Sequence, residues 1–181
     1  MKHPREVQVE DGKWIAKHLA TLAQAIAKDQ RKETPFVVAG IRSRGPALAN
    51  RLCAMLQQKG YKQCQAGSVD VRFERDDIAL RGPISGDGGT RMPAIHGITV
   101  VLVDDVLHTG RSARAALSEI MNFGRPAAIK LAVLIDRGGR EMPIAADYVG
   151  ARKEAGMSQK IVVKVKEQDG VDGVFLIDSR P

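Results

Sequence analysis

The stretch Val100-Val101-Leu102-Val103-Asp104-Asp105-Val106-Leu107-His108-Thr109-Gly110-Arg111-Ser112 constrains this chain more than any other. Its opening apolar, β-prone residues read as a strand buried on both faces, the pattern of an interior strand in a parallel sheet. The carboxylates of Asp104 and Asp105 end that run, so the strand exit would deliver polar groups to the sheet edge. Thr109-Gly110 then allows a tight turn into a helix, where unpaired backbone N–H groups can cradle a phosphate with help from the Thr109 and Ser112 hydroxyls. Ionised Asp104 and Asp105 can only accept hydrogen bonds, which suits sugar hydroxyls or a magnesium-bound sugar. A lone Asp after a strand would more simply cap the next helix. The run as a whole points instead to a ribose 5-phosphate site. No Gly-Lys-Ser/Thr follows it and no Gly-x-Gly-x-x-Gly is present, which sets aside ATPase and dinucleotide-binding readings.

The rest of the chain supplies strands and helices in alternation. Ile15, Leu19, Leu22 and Ile26 recur at helical spacing, predicting an amphipathic helix over residues 11–29 with Lys13, Lys17 and Lys28 on its wet side. Trp14 is expected to be a packing or subunit-contact residue. Residues 35–40 predict a short buried strand, and residues 46–58 a helix opened by Pro46 with Leu48, Leu52, Met55 and Leu56 inward. A strand over residues 65–73 would alternate through Val69, Val71 and Phe73, leaving Asp70 and Arg72 on its other face.

Residues 74–96 lose all periodicity, and Gly82, Gly86, Gly88 and Gly89 with Pro83 and Pro93 predict a long mobile loop. Beyond it come a strand over 98–103, a helix over 111–123 stopped by Gly124-Arg125-Pro126, and a strand over 128–135. Shorter strand candidates at 147–150, 160–165 and 174–177 would form an antiparallel extension or a cap over the site. The expected fold is therefore α/β, with a mostly parallel central sheet flanked by helices, a long flexible loop and a small C-terminal β extension.

A chain of 181 residues with 44% hydrophobic content can bury one sizeable core and is most simply one domain over 1–181. Cys53 and Cys64 have no metal-ligand spacing and read as reduced packing residues, which implies a cytoplasmic protein. Residues 1–10 lack the apolar core of an export signal, and no apolar run reaches membrane-spanning length. The net charge of +7 favours an anionic partner, a small polyanion and RNA being equally compatible. Only 4% of residues are aromatic, too few to stack on single-stranded nucleic acid between basic residues.

In a mostly parallel sheet, ligands bind beyond the carboxyl ends of the strands. The loops at 40–45, 74–96, 104–112 and 136–143 all follow strands and should converge on one rim. Gly40-Ile41-Arg42-Ser43-Arg44-Gly45 brackets arginines and a hydroxyl with glycines, so that backbone N–H groups can approach a diphosphate closely while guanidinium supplies charge. Glu74-Arg75-Asp76-Asp77 opens the long loop and could close over a metal-bound diphosphate, excluding water from an activated sugar.

These segments together resemble the type I phosphoribosyltransferases, and closely the PyrR family of pyrimidine-operon regulators with uracil phosphoribosyltransferase activity. The resemblance spans nearly the whole chain. It rests on residues 100–112, on Gly-Ile-Arg-Ser-Arg-Gly at 40–45, on Arg75-Asp76-Asp77, and on Gly124-Arg125-Pro126 followed by the Leu-Ala-Val-Leu-Ile-Asp-Arg-Gly-Gly-Arg-Glu-Met-Pro-Ile run at 131–144. It implies conversion of uracil and phosphoribosyl diphosphate (PRPP) to UMP and diphosphate with Mg2+, by a homodimer or homotetramer.

In that reading Asp104 and Asp105 hold the ribose hydroxyls, and through them or through water the metal. Val106, Leu107 and His108 line the approach, while Thr109, Gly110, Arg111 and Ser112 hold the 5-phosphate. Ser43 and Arg44 bind diphosphate, Arg75 and Asp76 belong to the lid, and Ile135, Asp136 and Arg137 with Met142 and Ile144 frame the base. Bond-breaking at the anomeric carbon needs no side-chain nucleophile, so catalysis is positioning plus electrostatics. His108 is open to two readings, as a proton donor or as a polar turn residue.

Members of the family that attenuate operons bind messenger RNA on a basic surface. RNA-binding relatives typically read Asp-Arg-Gly-His-Arg-Glu where this chain has Gly139 at the histidine position, and Ala145 stands where an arginine is common. Ala20 and Gln24 replace Thr and His in the first helix. The expectation is that catalysis is intact, with RNA attenuation either left open by the sequence or lost. A non-catalytic or weakly catalytic nucleotide-sensing RNA-binding regulator and a purine-type phosphoribosyltransferase are the alternatives, the second disfavoured by residues 136–144.

Overall fold

The computed structural model describes residues 5–71, 89–156 and 158–178. Its strands and helices, in chain order, are β1 (Glu6–Asp11), α1 (Gly12–Asp29), β2 (Phe36–Ile41), α2 (Gly45–Gln58), β3 (Cys64–Val69), β4 (Thr99–Leu107), α3 (Arg111–Phe123), β5 (Ala128–Asp136), β6 (Tyr148–Arg152), β7 (Gln159–Lys164), α4 (Lys166–Asp169) and β8 (Gly173–Asp178). Five of the strands form one sheet in the order β3-β2-β4-β5-β6, and each neighbouring pair is parallel. β1, β8 and β7 form a separate antiparallel sheet, the hood.

Strand periodicity divides the interior. Phe36, Val38, Val101, Val103, Ala132 and Leu134 face α1 and α2 in one apolar cluster, while Val37, Ala39, Val100, Leu102, Leu131 and Val133 face α3 in the other. Successive side chains of an extended strand point to opposite sides, so apolar residues without alternation are what a sheet covered on both faces requires. The hood joins the first cluster through Ile161, Val163, Val165 and Val174.

α1 begins where anticipated, because Asp11 accepts a hydrogen bond from the Trp14 N–H at 2.9 Å and so satisfies a helix-start donor. Ile15, Leu19, Leu22 and Ile26 are buried, and Lys13, Lys17 and Lys28 are exposed. Trp14 packs against the first cluster, its ring 3.9 Å from that of His18.

The structure departs from the sequence expectations at four places. β4 does not stop at Val103: Val106 and Leu107 continue the ladder opposite Ile135 and Asp136, so both aspartates lie inside the strand. β3 ends at Val69, and Asp70 turns inward, only 3% exposed, accepting the Gly89 N–H at 3.0 Å. Residues 147–150 are no part of a cap. They open β6, which runs parallel to β5, guided by Asp147, whose carboxylate accepts the Leu131 N–H at 2.8 Å. Finally, β1 was unforeseen, although Glu6-Val7-Gln8-Val9-Glu10 alternates with the period of a strand. It pairs antiparallel with β8.

The long segment 74–96 is described only from Gly89 onward. There Arg91 exchanges both backbone hydrogen bonds with Ser68, at 2.7 and 2.9 Å, and Ile95 is buried. That part is a packed return to the sheet. The rest of the predicted loop, with Arg75 and Asp76, and the end of the strand predicted over 65–73, with Arg72 and Phe73, lie outside the described residues.

Arg51 of α2 ties the hood to the core. Its guanidinium meets Glu167 at 2.6 and 2.8 Å and Asp172 at 2.8 and 3.0 Å. The Arg51 hydrogen bonds hold the Glu167 carboxyl below its ordinary range. Burial opposes ionisation of Asp172, yet Arg51 and the Lys166 N–H overcome it and hold that carboxyl low as well. Arg51→Met should cost about 1–2 kcal/mol in denaturant unfolding at pH 7, with half-exposed Glu167 contributing the lesser part because water screens it. Carboxyls held low stabilise the fold above their unfolded pKa and cease to do so as pH falls through the folded values, so the difference between wild type and variant should shrink below about pH 4.

Candidate active site

Because β2, β4 and β5 run parallel, their carboxyl ends open onto one rim, and the loops at 42–44, 108–110 and 137–144 meet there. Gly40 and Gly45 shape the first of these. A Cβ on Gly40 would fall 2.1 Å from the Gly45 carbonyl carbon, and one on Gly45 would fall 2.8 Å from the Val103 carbonyl oxygen. Only glycines let the loop close on itself beside β4. Ser43 at its tip is exposed.

Asp104 is 7% exposed and Asp105 half-buried, which corrects the expectation that both stand on an open rim. The cause is the longer β4, which carries them past the edge of the pairing with β2 while β5 still covers them. Asp104 Oδ1 accepts the Asp105 N–H at 3.0 Å, and Asp105 Oδ1 accepts the Val106 N–H at 2.9 Å. Burial pushes the Asp105 carboxyl above its ordinary range, against the opposing pull of Asp104, the Val106 N–H and Arg44. Adjacent strand residues diverge, so the pair cannot flank one bond as an acid and a base would.

Gly110 adopts the left-handed conformation, φ +91°, and opens α3. A Cβ there would be 3.1 Å from Cβ of Met142. Thr109 Oγ1 accepts the Arg111 N–H at 3.4 Å, and the Thr109 carbonyl accepts the N–H groups of Glu141 and Met142 at 2.9 and 3.0 Å. Arg111 pairs with Glu141 at 2.8 Å. The turn at 109–112 is thus built against the segment 140–144 and opens α3 at the carboxyl end of β4.

Arg140, which motif reading did not single out, fastens these parts together. It donates to the carbonyls of Leu107, His108 and Ile144 at 3.2, 3.0 and 2.9 Å and to Asp136 at 2.7 Å. Burial disfavours the Asp136 carboxylate, but the Gly138 N–H and Arg140 outweigh it and hold its carboxyl below the usual range. Asp136 therefore shapes the loop. The only sequence signal for Arg140 was its place four residues after Asp136 in the family-like run.

A cleft of about 810 Å³ lies between this rim and the hood, lined by Val106, His108, Arg137 and Gly139 on one side and by Lys160 and Ile161 of β7 on the other. Of the residues expected to frame a base, Arg137 lines this cleft, Ile135 is buried in the first cluster, and Met142 and Ile144 lie against Gly110. Arg137 Nη1 is 2.8 Å from Nδ1 and 2.7 Å from Nε2 of His108. Burial and the charge of Arg137 push the imidazole below its ordinary pKa. Both effects disfavour the protonated imidazole, which makes His108 a poorer proton donor than an ordinary histidine. Gly139, φ +71°, packs so that a Cβ would stand 2.9 Å from His108 Nε2.

Arg44 projects from the first loop toward the hood, where Asp169 takes its Nε at 3.0 Å and its Nη2 at 2.8 Å. For a metal, Asp104 and Asp105 offer carboxylate oxygens alone, and no group of three or more His, Cys, Asp or Glu gathers among the described residues. That donor set fits Mg2+, which keeps water and substrate oxygens as most of its ligands.

The phosphoribosyl transferase domain family matches residues 7–169. A Bifunctional protein PyrR of Chloroflexus aurantiacus is 44% identical over 173 residues, covering 95% of each chain. One of Streptomyces coelicolor is 41% identical over 175 residues, covering 93% of this chain and 88% of the relative. Among solved structures, a hypoxanthine phosphoribosyltransferase from Trypanosoma cruzi superposes with a TM-score of 0.70 at 20% identity, covering 100% of this chain and 98% of that one. At that identity the likeness speaks for the fold. With the phosphoribosyl transferase fold, the strand-end loops on one rim and near-complete matches at this identity, the chain belongs to the PyrR family of phosphoribosyl transferase domain proteins.

Proposed function

We propose that residues 1–181 act as one phosphoribosyltransferase domain that joins uracil to PRPP, giving UMP and diphosphate. The observation that carries this reading is the packing of the Asp104-Asp105 strand end, the Gly110 turn and the 40–45 loop around one rim that opens into the cleft below the hood. Each part suits one part of the substrate. The aspartates accept hydrogen bonds from the ribose 2- and 3-hydroxyls. Backbone amides at 110–112 with Thr109 and Ser112 take the 5-phosphate, and Ser43 with Arg44 takes the diphosphate. Uracil enters the cleft beside His108 and Arg137, where a neutral imidazole does not repel an arginine that donates to the base.

In the reaction the anomeric C–O bond to diphosphate breaks, its electron pair leaving with the diphosphate, and a C–N bond to uracil N1 forms while the N1 proton passes to water or the departing diphosphate. Positive charge grows on the sugar, and the negative charge of Asp104 and Asp105 lies under it. Mg2+, held through ribose hydroxyls or water by these aspartates, would supply charge for the leaving diphosphate. The buried strand keeps the carboxylates fixed, so little reorganisation is needed at the moment of bond breaking.

A cytoplasmic location agrees with free thiols at Cys53 and Cys64 and with the lack, among the described residues, of a helix long and apolar enough to cross a membrane. Exposed Met121 and Phe123 at the end of α3 supply apolar surface for a homodimer or homotetramer.

The RNA-regulatory half of the family's activity is proposed to be weak here. Ala20, Gln24, Gly139 and Ala145 are all exposed, so these positions are reachable yet lack the longer polar groups of RNA-binding relatives. Polar base contacts are worth about 1–3 kcal/mol each, and losing several together removes sequence selectivity while leaving salt-sensitive attraction.

Incubation with PRPP, Mg2+ and each nucleobase should yield UMP from uracil, and a purine nucleotide in its place would refute the assignment. Asp104→Asn with Asp105→Asn should fold and lose turnover by at least about 100-fold, measured as UMP formation with thermal melting as the control for folding. In a gel shift, a pyrimidine-operon leader should be bound no better than an unrelated RNA of equal length, and tight UMP-enhanced selectivity would contradict this.

A further inference from the structure

Among the described residues, Arg44 is held along one edge. Its Nε and Nη2 donate side-on to the two oxygens of Asp169, at 3.0 and 2.8 Å, in a pair that is 24% and 15% exposed. Guanidinium carries five N–H groups in a planar fork, so a side-on carboxylate leaves the Nη1 end available for a second anion. Arg44 stands near enough to Asp105 for the two charges to act on each other: Asp169 chiefly, and Asp105 after it, raise the Arg44 pKa against the effect of burial.

Asp169 is itself fixed. Its Oδ2 accepts the Val165 N–H at 2.9 Å, its own N–H donates to the Val165 carbonyl at 2.7 Å, and α4 is anchored to α2 by Arg51 through Glu167 and Asp172. A carboxylate this well tied can set the direction of an arginine without moving. The hood element α4 thereby reaches back to the loop on the opposite side of the rim, 125 residues earlier in sequence.

We propose that Asp169 is a positioning residue for the transfer reaction: it fixes the side-on edge of Arg44 so that the Nη1 end faces the diphosphate. This rests on the assignment of Arg44 to the diphosphate. A free arginine would have to give up several rotatable bonds on binding, whereas Arg44 is already oriented before the anion arrives. The pair stays closed while diphosphate is bound, because the two anions use different edges of the fork.

The test measures binding of inorganic diphosphate with Mg2+ to the full chain by calorimetry, with steady-state kinetics alongside. Asp169→Asn should bind diphosphate about ten-fold more weakly and raise KM for PRPP to a similar degree, while KM for uracil changes by less than about two-fold. Asp169→Glu should recover part of the loss. In an Arg44→Met background, Asp169→Asn should have no further effect. A folded Asp169→Asn protein with wild-type diphosphate affinity, or one whose loss persists in the Arg44→Met background, would overturn the role of Asp169. Wild-type diphosphate affinity in Arg44→Met alone would instead remove the assignment of Arg44. Independently of any variant, the Arg44 Nε–H resonance of the wild-type protein should stay slow to exchange when diphosphate binds. Its loss would mean that Asp169 is displaced, and would refute the proposal.

Discussion

The burial of β4 between β2 and β5 is the constraint on which the rest depends. Val100, Val101, Leu102 and Val103 have no exposed surface, and their backbone groups are paired with a parallel neighbour on each side. Such a strand cannot slip in register without turning one apolar face toward the wrong helix. With register fixed, the place where Asp104 and Asp105 emerge is fixed too, and so is the start of the Gly110 turn. The chemistry of the rim inherits its precision from an apolar core that never touches substrate.

Polar groups complete what the core begins. Arg140 joins the 107–108 backbone to Asp136 and Ile144, and Arg51 joins α2 to the hood. Both are arginines serving several acceptors at once, the task for which a planar five-donor group is suited. Arg51 bridges the helix α2 and the hood, and Arg140 adds side-chain bonds reaching Ile144 from a place where the β4–β5 ladder already sets Leu107 opposite Asp136. Two kinds of order are therefore superposed: a sheet that fixes direction, and a few forked cations that fix the distance between its loops.

How much of this was legible in the sequence depended on whether the signal was local. The helices over Gly12–Asp29, Gly45–Gln58 and Arg111–Phe123 were readable within a residue or two, because periodicity, Pro46 and Gly124 lie in the segments themselves. The strand, turn and helix start over 100–112 and the glycine-bounded 40–45 loop were recognisable as local structure for the same reason. What failed was pairing. Nothing within residues 147–150 says that they add to the main sheet and not to the hood, since Asp147 makes that choice by reaching Leu131. Asp104 and Asp105 were placed one step too far out because charge was read as the end of a strand, when the β5 ladder extends past it. β1 carried a clean alternation and was passed over, and Arg140 and Asp169 act only through partners distant in sequence.

Gly139 and His108 occupy neighbouring parts of one small volume, the backbone of the first bent to φ +71° and the place of its absent Cβ filled by the imidazole of the second. The two positions are consequently a single trait. A larger residue at 139, such as the histidine of RNA-binding relatives, would strain the backbone at φ +71° and require the His108 imidazole to shift. A change at position 139 is thus felt inside the cleft lined by His108 and Arg137, so the exposed face of this loop and the wall of the cleft are not independent.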